Sequence, residues 1–82
     1  MNWRQVIYQM KKSLERNGFA SLADELLMAE VTAGKNPNAI VTEVLTKLKE
    51  FSREHEDAYH LIITEAEQLR RYAKTFGIEP NE

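Results

Sequence analysis

Apolar side chains recur along this chain at steps of three and four, in four stretches parted by turn signals. In the first, Trp3, Val6, Ile7, Met10 and Leu14 share one stripe at about 100° per residue, and Tyr8 falls off it. Asn2 stands ahead of the stripe, where its side chain can accept from free first-turn N–H groups. Gln5 is placed three residues on to reach back as in a capping box. Asn17-Gly18 tolerates left-handed backbone, and Phe19 can fold back on Leu14, so a helix over 3–17 is predicted. A second start follows at Ser21 as N-cap, with Asp24 acidic where the positive end of the helix dipole favours it. Leu22, Ala23, Leu26, Leu27 and Ala33 form its apolar face and Gly34 ends it, giving helix over 21–33.

Asn36 as cap and Pro37 at the first helical position open a third helix over 37–53. Ile40, Val41, Val44, Leu45, Leu48 and Phe51 lie on one side of it, with Thr42, Glu43, Thr46, Lys47 and Glu50 mostly on the other. From Ser52 to Asp57 the residues are polar but include no Gly or Pro, and the apolar stripe continues through His55 to Ala58, Ile62, Leu69, Ala73 and Phe76 without a phase slip. Charge points to a break near Arg53 to Glu56. Lys47, Lys49 and Arg53 gather before the polar run, and Glu54, Glu56 and Asp57 gather after it, as where one helix ends and another begins. A fourth helix over 57–76 then runs to Gly77, and the tail from Ile78 to Glu82, with Pro80, is expected to fray.

Four amphipathic helices on short turns predict an all-α fold, a small up-and-down bundle formed by a single helical domain over residues 1–82. The alternative is a helical hairpin plus one long C-terminal helix that dimerises. The 82 residues are 43% hydrophobic and 29% charged, with 3 Gly and 2 Pro, a globular composition. No apolar run reaches the ~18 residues of a membrane span, and the first residues alternate polar with apolar where a signal peptide would be continuously apolar. A cytoplasmic location is the expectation. Absence of Cys removes disulfides, thiolate nucleophiles and cysteine zinc sites. A formal charge of −2 weakens the case for nucleic acid, whose affinity for proteins rests on excess Lys and Arg.

Chemistry-bearing residues are few. Gly18, Gly34 and Gly77 are too far apart to cradle a phosphate, and each sits at a helix end. Asp57 and His60 have the spacing that sets a carboxylate beside an imidazole, yet bundled di-metal sites need about two such pairs plus two further carboxylates. An ordinary solvated first turn accounts for His55, His60 and their acidic neighbours. Glu30 and Glu65 fall within apolar stripes; facing inward together they would form an acid–base pair, whereas at a bundle edge they would pair with Arg4, Arg70 or Lys35. A helix-turn-helix can be drawn from helices two and three with Thr42, Glu43, Thr46 and Lys47 facing a groove, but acidic residues share that face. No catalytic, cofactor or metal residue is therefore assigned. Tyr8, Met28, Tyr59 and Ile63 lie off the stripes of their helices and form the candidate interface. A thin core and off-stripe aromatics favour self-association, as in a homodimer, or a protein partner. The expected function is a small interaction module without catalysis, such as an accessory subunit, an inhibitor or an antitoxin-like neutraliser. A DNA-binding protein and a carboxylate-based metal bundle are the rival readings.

Overall fold

The computed structural model describes residues 2–78 and contains five helices and no strand among them. They are α1 (Trp3–Arg16), α2 (Ala20–Ala33), α3 (Pro37–Glu54), α4 (Glu56–Leu61) and α5 (Ile63–Thr75). α1 packs against α2 and α5, α2 against α3, and α3 against α4 and α5, so the helices close a ring. This is the expected all-α up-and-down bundle, with its fourth helix in two pieces.

The turns show why the elements end where they do. Asn2 accepts from the Arg4 N–H at 3.0 Å, and the Asn36 side chain accepts from Asn38 and Ala39 at the start of α3, with Pro37 in its first turn. α1 ends in a Schellman motif. Gly18 takes φ 87°, its N–H donates to the Glu15 carbonyl, and the Phe19 N–H donates to Leu14 at 2.8 Å. α5 ends the same way: Gly77 donates to Lys74, and Ile78 donates to Ala73 at 2.7 Å. Ile78 is thereby buried, which corrects the expectation that it frays with the tail. The remainder of that expectation, residues 79–82, lies outside the described residues.

Two further expectations are corrected. α2 begins at Ala20 with Phe19 as N-cap and no side-chain cap, because the Schellman turn delivers the chain directly into the next helix. Ser21 is therefore not the cap, and Asp24 lies beyond the first turn. The expected helix over 57–76 is interrupted at Ile62, whose φ −121° and ψ 15° leave the helical basin. The break at His55, φ −138° and ψ 59°, falls where the charge reversal placed it.

One core cluster unites all five helices. Phe51, Ile7, Met10, Leu14, Leu26, Leu48, Ile62 and Leu69 are its largest fully buried members. No polar or charged residue is buried among the described residues, and no buried side-chain nitrogen or oxygen there is without a partner. Ion pairs therefore sit on the flanks. Lys47 of α3 reaches Glu25 of α2 and Glu50 of its own helix, each at 3.3 Å. No described helix is long and apolar enough to cross a membrane.

Candidate functional site

α2 has apolar residues on both sides. Leu22, Ala23, Leu26 and Ala29 face the core, as the helical period requires. Outward, Met28 is 59% and Val31 64% exposed, and Leu27 is nearly half exposed. Leu27 to Val31 is a four-residue step and Met28 to Val31 a three-residue step, so the three side chains adjoin on one surface. Leu27 thus belongs to the outward face and not to the core stripe expected of it. Its helical position lies roughly 100° from Leu26, enough to carry it past the edge of the contact with α1.

Tyr8 of α1, 49% exposed, continues this surface across a shallow groove. Lys11, Lys12, Ala23, Asp24 and Leu27 line the groove with it. Lys12 stands 5.6 Å from the Tyr8 ring centroid, within range of a cation–π attraction, and also 3.7 Å from Glu15. Lys11 bridges to Glu30 of α2 at 3.1 Å. The result is an outward apolar face of Leu27, Met28 and Val31 on α2, met at Leu27 by Tyr8 across a groove with charges at its margin. Aromatic and Met side chains ringed by polar groups are the usual make-up of a protein-binding patch.

Of the four candidate interface residues, Tyr8 and Met28 meet this description. Ile63 is exposed beside Leu61 at the start of α5, an element that packs against α1 and α3 without forming part of the α2 surface. Tyr59 is partly exposed. It packs against the core with the Arg70 guanidinium 5.7 Å from its ring. The stripe pattern does not single out Leu27 and Val31 as outward residues. The available signal is that only Asp24, Glu25 and Glu30 break the apolar and small-residue run of α2.

The acid–base and metal candidates are dispersed. Glu30 is held by Lys11 and not by Arg4, Arg70 or Lys35, and Glu65 is half-buried on α5. Asp57 and His60 are both exposed, and no group of three or more metal-ligating side chains assembles among the described residues. In the helix-turn-helix reading Lys47 would face a groove; here it is engaged by two carboxylates. Burial alone would lower the Lys47 pKa, but hydrogen bonds and charges from Glu50 and Glu25 outweigh it and hold the pKa above its ordinary 10.5.

No protein-family model matches the chain, and no curated protein and no solved structure is significantly similar to it.

Proposed function

We propose that this chain is a small protein–protein interaction module that acts in the cytoplasm by binding and performs no catalysis of its own. An accessory subunit, an inhibitor or an antitoxin-like neutraliser would all work in this way. The observation that carries the proposal is the outward face of α2, where Leu27, Met28 and Val31 are exposed and Leu27 shares a groove with Tyr8. A helix apolar on both sides ordinarily packs on both sides. In this fold only the inner side is covered. The apolar interior of the described residues supports the same reading, since a catalytic cleft requires positioned polar groups.

The test is affinity capture from native lysate with the wild-type chain and with a Met28→Lys, Val31→Lys double variant. Circular dichroism and urea unfolding would check that the variant is folded. The expected result is a stoichiometric partner retained by wild type and reduced at least tenfold by the variant. Equal capture by both chains would remove α2 from the binding surface. Salt-dependent retention of the wild type on DNA, lost on replacing Lys47, would favour the helix-turn-helix reading instead.

A further inference from the structure

From Val41 to Phe76, positions taken at alternating steps of three and four are apolar or aromatic, save only His55 and Glu65. That is the heptad spacing that keeps one seam on one side of a continuous helix. No Gly or Pro lies between Pro37 and Gly77 to interrupt it. Yet α3 and α4 meet at a single-residue corner, His55, which supplies no side-chain cap to α4. His55 donates to Phe51 and accepts from Tyr59, so the helical ladder is already in place on each side of the corner. Only the N–H groups of Glu56, Asp57 and Ala58 and the carbonyls of Ser52, Arg53 and Glu54 would need to join to make it continuous. Charge favours this too: Glu56 and Asp57 follow Arg53 by three and four residues, where opposite charges attract along a helix.

We infer that α3 and α4 can straighten at His55, and that the released α4–α5 arm then docks on a second copy of this chain, between that copy's α1 and α3. Length dictates the exchange. Joined through His55, residues 37–61 form one helix of ~37 Å, whereas the longest dimension of the molecule is 32 Å. The arm can no longer fold back on its own α1. Its inner face, Ala58, Ile62, Ala66, Leu69, Ala73 and Ile78, is apolar and buried and must be covered. The surface that fits it is the one it left, presented by another copy. Every contact of the arm is remade between chains, giving an interface like a hydrophobic core cut in half.

His55→Leu places an apolar, helix-favouring residue on the seam and should promote the exchange. Wild type, His55→Leu, the milder His55→Ala, and Glu56→Pro would each be refolded from urea at micromolar and millimolar concentration, then sized by chromatography with light scattering. Circular dichroism would check that each is helical. The expected result is a dimer fraction at least tenfold higher for His55→Leu, changed in the same direction by His55→Ala, with dissociation over hours on dilution. Glu56→Pro should reduce the dimer roughly a hundredfold, since proline is accommodated at the first position of α4 but breaks a continuous helix. Adding Val31→Lys to His55→Leu should leave the dimer intact. Monomers for both His55 variants at every concentration would overturn the inference. So would loss of the dimer on adding Val31→Lys, which would assign association to the outward face of α2.

Discussion

α1 and α2 are helices of equal length that pack against each other, and they treat solvent differently. α1 buries Val6, Ile7, Met10 and Leu14 and gives water Gln5, Gln9, Glu15 and Arg16, with Tyr8 the one large apolar exception. α2 buries a comparable face and gives water Leu27, Met28 and Val31. Burial on the inside thus does not distinguish the two helices; their outer sides do. The stability of the bundle depends on the inner faces, whereas the outer face of α2 has no task in the isolated chain. The recognition role proposed for α2 rests on that difference.

The inner faces should respond alike. Leu14→Ala and Leu26→Ala each remove a fully buried side chain and should cost about 2 to 5 kcal/mol in urea unfolding, while Val31→Ala on the same helix as Leu26 should stay within about 0.5 kcal/mol. A cost at Val31 equal to that at Leu26 would abolish the contrast. The joint between the helices comes next. Gly18→Ala meets no atom within 4 Å, so its expected loss of about 1 to 2 kcal/mol is the cost of left-handed backbone alone. The Lys11–Glu30 bridge between α1 and α2 is smaller in effect. Glu30→Gln should change stability by less than about 1 kcal/mol, because both side chains remain partly exposed. The smallest effect is that of pH at Lys47. Its raised pKa means that the paired ammonium contributes fully below 10.5 and that the contribution is lost as pH climbs through the folded value. Wild type should therefore lose slightly more stability than Lys47→Met as pH is raised from neutral through the lysine range, by urea titration.

Much of the fold can be read in the sequence because its turns are written in residues with one dominant use. Gly18 followed by Phe19, and Asn36 followed by Pro37, each specify a backbone geometry that the structure adopts. The corner at His55 is visible as a reversal of charge across a polar run. The interruption at Ile62 is not, since neither a breaker nor a cap marks it and the adjoining Ile63 lowers helix propensity only slightly. The stripe itself carries across it, since Ala58, Ile62, Ala66, Leu69 and Ala73 are all buried; periodicity fails at Phe76, the cap beyond the last residue of α5, which is 65% exposed with its ring centroid 4.7 Å from that of Tyr72. The proposed binding face is half legible. Met28 and Tyr8 stand out as off-stripe residues, but Leu27 adjoins the core stripe of α2, and only the position of α1 determines on which side of the boundary it falls.

With no polar or charged residue buried among the described residues, the inner faces of the helices meet through apolar side chains, and polar contacts such as Lys11–Glu30 and Lys47–Glu25 tie only their flanks. Aliphatic volume can then be traded between layers, Leu for Met or Ile for Leu, at under about 1.5 kcal/mol for each exchange. Many dissimilar strings of amino acids can encode this same architecture, and their common ancestry would be easier to trace in the placement of glycines and asparagines than in the oily positions.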